Sequence, residues 1–472
     1  MQKRYQAVKE LLSNHNQDHL LSFYGDLDEA QRERLLTEIE AQDWVTLSEL
    51  ASSFGKAETL PPEEAIEPAP YYALEPDPDQ RGTYARALSL GEDLIRQGKI
   101  AAFTVAGGQG TRLGWNGPKG TFAATPITGK PLFQVFAETL LRAERKYDTT
   151  LPWYLMTSRL NDAATRAFFA ENAYFGLDEA NVTFFQQGSM PSFSREGKVL
   201  LSAPGALSLN PDGHGGSLKA LYESGAVKDM AERGVKHISY FQVDNPNVKA
   251  VDPLFIGLHA LENADMSAKM LPKAGPDEKV GNFCLVNGRT SVIEYSDIPE
   301  SLTEQRDAEG NLRFNAGSIA IHLLSVDFVR RLNEDEGGFA LPYHRALKKV
   351  PYVDTETGER VQPSEPNALK LETFVFDALP LADKTVILET DRVEEFAPIK
   401  NAEGSDSALT SRQLQSERAA RWLERAGVSV PRTADGKLDA VIELSPLSAS
   451  SPDDVEALEL PERVEAGSKL EM

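Results

Sequence analysis

The stretch Thr104 to Gly114, TVAGGQGTRLG, crowds glycine straight after an apolar run, KIAAFTVA. Backbone without Cβ atoms can turn sharply and approach a ligand closely, and its N–H groups can wrap an anion. Arg112 lies inside the loop, and Lys119 follows in GPKG. A guanidinium adds a bidentate fork and an ammonium adds a compact charge. This inventory suits a triphosphate. Alone, the glycines also read as a structural turn, and Lys119 after Pro118 reads as a solvated lysine. Two glycine templates fail. A dinucleotide loop needs G-x-G-x-x-G, but after Gly108 and Gly110 the third position is Leu113. A Walker A loop needs Gly-Lys-Ser/Thr after a spaced glycine, and no register supplies it.

A second chemical group ends the run HISYFQVDN. A carboxylate there, Asp244, is placed to hold a hard cation that bridges phosphates, or else to cap the next turn. Three suggestive segments, the glycine loop, QQG and VDN, each follow an apolar strand-like run. Ligands of open α/β sheets sit beyond the carboxyl ends of the strands.

The elements that must position these residues follow from the pattern. From residue 84 onward, short apolar runs alternate with amphipathic helices. YARALSLGEDLIRQG, LFQVFAETLLRAERKY, NDAATRAFFAEN and LKALYESGAVKDMAERG read as helices; KIAAFTVA, PWYLMTS, NVTFFQQG and HISYFQVDN read as strands. That alternation predicts an α/β fold with a mixed, mainly parallel sheet flanked by helices. KVGNFCLVNGRTSVIEYSDI reads as a hairpin, and SRQLQSERAARWLERAG as a further helix. Residues 1–83 form a helical N-terminal region with a Pro-rich extended segment, in which Asp28 caps a helix; residues 84–390 form the catalytic domain. Residues 391–472 form a small C-terminal lobe, either folded or partly disordered.

The chain has 472 residues and a net charge of -23, which repels nucleic acid and anionic membranes. Any phosphate site must be a basic island. The single cysteine, Cys284, excludes an intramolecular disulfide and reads as core. No signal peptide and no membrane span is visible, so a cytoplasmic location is expected. No protein partner is evident.

The motif AGGQGTRLG…PKG resembles the signature loop of the sugar nucleotidyltransferases, specifically the eukaryotic-type UDP-sugar pyrophosphorylases, nearest to the UDP-N-acetylhexosamine pyrophosphorylases. VTFFQQGSMPS, LNPDGHGG, VDNPNVK, VIEYSDI, FNAGSIAIH, PNALKLETFVFD and EFAPIKNAEG agree in order, and the resemblance spans roughly residues 5 to 410. It implies a nucleotide-diphospho-sugar transferase (Rossmann-like) fold, UTP and a sugar 1-phosphate as substrates, and Mg²⁺ on Asp244. It implies that Arg112, Lys119 and Lys400 neutralise reacting phosphates. Ala106, Gly107, Gly108, Gln187, Gly213, Asp244 and Lys370 would bind the nucleotide, with Gln187 on the uracil. His214, Gly281, Glu294, Tyr295 and Asn315 would bind the sugar. One departure stands out: the family's N-acetylhexosamine branch reads DGNGG where this chain reads DGHGG, and the UDP-glucose branch carries GHG. The expected sugar is N-acetylglucosamine 1-phosphate, with glucose 1-phosphate or a broad range of hexose phosphates as the alternative. A nucleotide sensor without catalysis is disfavoured because the cations and Asp244 are all present. A nicotinamide-dependent oxidoreductase is disfavoured because PWYLMTS lacks a terminal acid to grip a ribose.

Overall fold

A computed structural model describes residues 1–52, 62–334, 339 and 341–472. The first two residues of the Pro-rich segment, Leu60 and Pro61, lie outside the described residues. The chain divides into two compact units. The smaller is assembled from Met1–Leu60, Gln187–Ser217 and Leu341–Val375, the larger from Pro61–Gln186, Leu218–Ala340 and Phe376–Met472.

The larger unit is built on a ten-stranded sheet. Its strands are β1 (Ile66–Pro68), β2 (Ile100–Val105), β3 (Trp153–Thr157), β4 (Val182–Gln186) and β5 (His237–Gln242), then β6 (Met266–Pro272), β7 (Asn282–Val286), β8 (Arg289–Ile293), β9 (Ala316–Ser325) and β10 (Thr385–Glu389). Strands β5, β2, β3 and β4 lie side by side and parallel. Their runs are apolar almost throughout because helices cover both faces; every residue of β3 is buried. The parallel core therefore delivers the glycine loop after β2 and the VDN segment after β5 to the same sheet end. The later strands are mixed: β9 runs antiparallel to β5 and β6, while β6 and β10 are parallel. The expected hairpin is β7–β8, closed by Asn287 and Gly288, both at positive φ, the pairing a tight two-residue turn requires.

The Pro-rich segment is ordered along the sheet. β1 pairs with β7, and the Tyr72 N–H donates to the carbonyl of Ile387 at 2.8 Å. Tyr72 packs against the core, while Tyr71 and Leu74 stay exposed. Helix α1 (Arg81–Arg96) lies against helix α3 (Pro253–Leu261) so closely that a Cβ on Gly91 would stand 1.7 Å from the Pro253 carbonyl oxygen, and one on Gly257 1.6 Å from that of Ala87. Helix α2 (Leu132–Tyr147) buries Phe133, Phe136 and Leu140 in the same core. One expected helix is two. LKALYESGAVKDMAERG breaks at Gly225, whose φ of 82° ends Gly216–Glu223 before Ala226–Glu232 begins. The C-terminal tail is folded. Helix α4 (Ala408–Arg425) buries Trp422 and Leu423 against Ile442, Val455 and Val464, and Val441–Glu443 pairs in parallel with Lys469–Glu471.

In the smaller unit Asp28 makes the expected cap, as a reciprocal capping box with Gln31. Its core joins Leu12, Leu35, Leu36, Ile39 and Trp44 to Phe193, Leu207 and Leu371. A three-stranded sheet there carries Ala368–Glu372 at its centre.

Two histidines of the larger unit set an acid limit. His259 is fully buried, with Nδ1 sharing a hydrogen with Ser267 Oγ at 2.7 Å and Nε2 unpartnered. His237 meets it edge-on at 5.0 Å. Burial, with Lys236 adding, lowers His237 to about 4, and burial lowers His259 also. The unfolded chain takes up these protons first, near pH 6.5. Their contribution to stability is whole above that pH and is lost as pH falls from 6.5 through 4. Urea unfolding should show a loss on the order of a few kcal/mol across that window, and His237→Gln should flatten it.

Candidate functional site

In the larger unit the chain leaves β2 at Val105 and folds back on itself. The Ala106 N–H stays on the sheet, donating to Met156 O at 2.8 Å. Asn161 Nδ2 donates to the carbonyls of Ala106 at 2.8 Å and Gly108 at 3.3 Å, pinning the loop from the segment after β3. Gly110 N–H donates to Gly117 O, and Trp115 lies over Gly110, where a Cβ would come within 2.7 Å of it. The loop carbonyls are thus held back. Among the described residues the N–H groups of Gly107 and Gly108 have no acceptor. Arg112, in the turn Thr111–Leu113, is exposed and makes no hydrogen bond or ion pair there.

Lys119 lies across the loop, its Cε 3.9 Å from where a Gly108 Cβ would be, and its Nζ stands 3.8 Å from Asp244 Oδ2. The Asp244 side chain is only 9% exposed, and among the described residues no closer cation holds it. A separation of 3.8 Å is an ion pair without a tight hydrogen bond. That leaves the carboxylate oxygens ready for another cation.

Behind Asp244 runs a clasp that the sequence reading missed. The Ile399 N–H donates to Asp244 O at 2.8 Å. Asn245 accepts from the Ala397 N–H at 3.0 Å and donates to Glu395 O at 2.6 Å; Asn247 donates to Val393 O at 3.0 Å. The segment 393–399 is laced to 244–247, and Lys400 follows at once. Its Nζ is 5.5 Å from the Phe396 ring and 3.9 Å from Asp406, and it is 41% exposed. Under the clasp sits Lys269, with no exposed surface, 2.6 Å from Asp252 and 2.5 Å from Glu395. Burial alone would push this ammonium down; the two carboxylates outweigh it and hold the group above its usual value. Burial would raise Asp252, but Lys269 and Lys249 bring it below its usual range.

Four of the five sugar-side expectations, Gly281, Glu294, Tyr295 and Asn315, also lie in the larger unit; the fifth, His214, lies in the smaller. A Cβ on Gly281 would meet Val292 at 2.6 Å and Glu294 Oε1 at 3.3 Å, so the glycine lets the hairpin end close on Glu294. Asn315 O accepts from the Lys273 N–H at 2.8 Å; Tyr295 is half exposed. Lys273, mostly buried with Nζ on Pro276 O at 3.1 Å, was not anticipated.

The base-side expectations lie in the smaller unit. Gln187 Nε2 donates to Gly213 O at 2.8 Å and Asp212 Oδ1 at 3.1 Å. Gly213 has φ 86°, and a Cβ there would stand 2.3 Å from Thr373 O. The Gly215 N–H donates to that same oxygen. His214 Nδ1 accepts from the Val375 N–H at 3.1 Å, and its ring stacks on Phe374 with centroids 5.3 Å apart. Burial, helped by His344, lowers His214 to about 4, so it is neutral at physiological pH. Lys370 sits on Ala368–Glu372; burial, with Lys348 adding and Glu372 opposing, pushes its ammonium down. Lys370 and Lys400, expected to act together, are carried by different units.

The sequence profile of the UTP–glucose-1-phosphate uridylyltransferase family matches residues 69–427, and the chain belongs to that family. By class it is a UTP:sugar-1-phosphate uridylyltransferase. The UDP-N-acetylglucosamine pyrophosphorylase of Saccharomyces cerevisiae is 38% identical over 430 residues, 89% of this chain and 88% of that one. The UDP-N-acetylhexosamine pyrophosphorylase-like protein 1 of Homo sapiens is 36% identical, covering 96% of this chain and 94% of its own. A solved structure, the uridine diphosphate N-acetylglucosamine pyrophosphorylase from Trypanosoma brucei in complex with inhibitor, superposes with a TM-score of 0.80 at 28% identity. It covers 97% of this chain and 95% of that one.

Proposed function

We propose that the enzyme joins UTP to N-acetylglucosamine 1-phosphate, releasing pyrophosphate and leaving UDP-N-acetylglucosamine. The sugar is supported by the names of the yeast and trypanosomal relatives. The observation that carries the site is the pairing of unclaimed loop N–H groups with the loosely held Lys119–Asp244 pair, both at the carboxyl end of parallel strands.

A phosphate oxygen of the sugar phosphate attacks the α-phosphorus of UTP. The bond from that phosphorus to the bridging oxygen breaks, and pyrophosphate leaves with the electron pair. The attacking group is already ionised, so no protein base is required. The protein's task is position and charge. Gly107 and Gly108 donate N–H groups to phosphate oxygens, and Arg112 and Lys119 offset the charge that builds on the α-phosphate and the leaving group. Lys400 adds a cation from the far limb of the clasp, and Lys370 offers one to the nucleotide.

Asp244 fits Mg²⁺ in its donor chemistry, since that ion is commonly held by one or two carboxylates with phosphate oxygens completing its shell. Among the described residues no group of three or more metal-ligating side chains exists, so phosphates would supply the rest. When bound, the ion would supply positive charge that offsets phosphate charge. Gly281, Glu294, Tyr295 and Asn315 face sugar hydroxyls and the acetamide in this reading.

The orientation of Gln187 suits uracil. Its NH₂ is spent on Gly213 and Asp212, which turns Oε1 to the base as an acceptor. Uracil N3 carries a hydrogen to give; cytosine N3 does not. Gln187→Ala should reduce the preference for UTP over CTP by roughly ten- to a hundredfold while changing kcat for UTP less. Equal relative use of the two triphosphates before and after would remove Gln187 from the base.

The reading as a whole is tested with a panel of sugar 1-phosphates, UTP and Mg²⁺, following pyrophosphate. Release with N-acetylglucosamine 1-phosphate, abolished by excess chelator, is expected. Turnover in excess chelator would refute the metal, and preference for glucose 1-phosphate would refute the sugar. The glucose reading draws on DGHGG and can be tested at His214. Asn at this position can offer Oδ1 to the Val375 N–H in place of Nδ1, keeping the brace and changing only the other end of the side chain. His214→Asn should therefore raise the kcat/KM ratio for N-acetylglucosamine 1-phosphate over glucose 1-phosphate by about tenfold or more. A constant ratio with lower rates for both would make His214 a brace alone.

Among the described residues no helix is long and apolar enough to cross a membrane. We infer a cytoplasmic enzyme, consistent with a lone buried cysteine.

A further inference from the structure

The larger unit has a cavity of about 300 Å³ apart from the glycine loop. It lies among helix α2, helix α4, the segment 246–253 and the C-terminal lobe. Its lining is mixed: Val135, Tyr147, Val248, Trp422, Ile442 and Pro446 give it an apolar wall, and charged side chains complete it. One charge stands out among them. The Arg418 guanidinium lies 5.1 Å from the Trp422 ring and forms no ion pair among the described residues. Only its Nη1 is engaged, on the carbonyls of Asn247 at 3.2 Å and Glu394 at 3.4 Å.

The other charges around the cavity are already engaged by protein partners, Asp453 by Arg425 among them. Glu443 accepts from the N–H groups of Ile127 and Thr128; Asp252 is held by Lys269; Glu92 pairs with Arg96. Lys146 pairs with Asp454, and Lys249 lies 3.7 Å from Glu395. Burial pushes the Arg418 guanidinium below its usual value against the opposing pull of Glu394 and Glu395, the mark of a cation short of a close counter-charge. A guanidinium with open donors beside an apolar wall fits a carboxylate or phosphate head on a ring-sized apolar body.

We propose that this cavity is a binding site for a small organic anion, with its carboxylate or phosphate on Arg418 and its apolar part against Trp422 and Val248. The site has a route to the reaction. Arg418 already holds the carbonyls of Asn247 and Glu394, one on each limb of the clasp that sets Asp244 beside Lys400. An anion that fixes Arg418 tightens both limbs. On the reading that Asp244 holds the divalent cation, a bound anion lowers the Mg²⁺ concentration needed for half-maximal velocity.

Calorimetric titration of the full chain, without substrates, tests binding independently of that reading. The probes are phenyl phosphate, benzoate and inorganic phosphate, each to about 10 mM. Saturable binding of both aromatic anions is expected, with inorganic phosphate weaker. Arg418→Met should weaken it by about ten- to a hundredfold. Ala143→Leu, which fills the cavity from helix α2 and leaves Arg418 in place, should block it even if the arginine variant folds poorly. No saturable binding of either aromatic anion, unchanged binding in Ala143→Leu, or loss of binding when UTP is pre-bound would each overturn the proposal. Bound anion without any change in Mg²⁺ dependence would overturn the coupling alone.

Discussion

Arg112→Ala and Lys119→Ala should each lower kcat by about a hundredfold or more, the loss that follows removal of one preorganised electrostatic donor. The two arguments differ. Arg112 is exposed and contributes nothing visible to the fold, so its variant should melt with the wild type and lose only rate. Lys119 is mostly buried and stands 3.8 Å from Asp244. Its removal takes a charge from the phosphates and also leaves Asp244 without its nearest cation. Lys119→Ala should therefore tighten retention of a divalent ion in the free enzyme even as kcat collapses, whereas Arg112→Ala should leave that retention unchanged. Pyrophosphate release at saturating substrate, read beside a metal titration, separates them. Near wild-type kcat in a folded variant would return that residue to plain surface charge.

Lys269→Met should be the most damaging single change to stability. The ammonium is wholly buried between Asp252 and Glu395. Removing it leaves two largely buried carboxylates with only Lys249, 3.7 Å from Glu395, as a nearby cation, and breaking a buried pair in this way costs about 3–5 kcal/mol. Asp252 also caps helix α3 through the N–H groups of Leu254 and Phe255, so the stranded charge sits on an element that packs at contact distance on α1. Urea unfolding should show the loss, and Glu395→Gln in the same chain should return part of it by removing one uncompensated charge. A loss under about 1 kcal/mol in the single variant would mean that the carboxylates take up protons or water at little cost. Since the backbone of Glu395 holds Asn245, the variant should also lose rate in proportion to any loosening at Asp244.

Much of this was legible in the sequence. Strands buried on both faces read as apolar runs, so β2, β3 and β4 could be placed within a residue or two and β5 within three. The glycine loop, Gln187 and Asp244 could then be assigned to strand ends. The hairpin announced itself through Asn287-Gly288. What stayed hidden depends on partners far apart in the chain. Lys269 in SAKMLP looks like a surface lysine on a strand, and only its meeting with Glu395, 126 residues away, makes it a core residue. Asn161 gives no local sign that its amide ties down a loop 53 residues earlier. The break at Gly225 was concealed by helical spacing of apolar residues on both sides. The composition of the smaller unit from three separate segments was not readable from local pattern at all.

That patchwork bears on how the protein is made. Residues 1–52 leave the ribosome early, yet Leu12, Leu36 and Trp44 share a core with Phe193, Leu207 and Leu371. At roughly 5–20 residues per second, the first helices wait about 20 s to over a minute before Val375 is synthesised. Throughout that interval their apolar faces lack most of their native cover. The last strand of the three-stranded sheet, Ala368–Glu372, arrives to pair on both sides, with His344–Lys348 and with Phe193–Ser194. Closure of the unit is thus a single late event with high loop-closure cost. A nascent chain stalled before that strand would hold Gln187 and the Gly213–Gly215 loop without the backbone of Thr373 that fixes it.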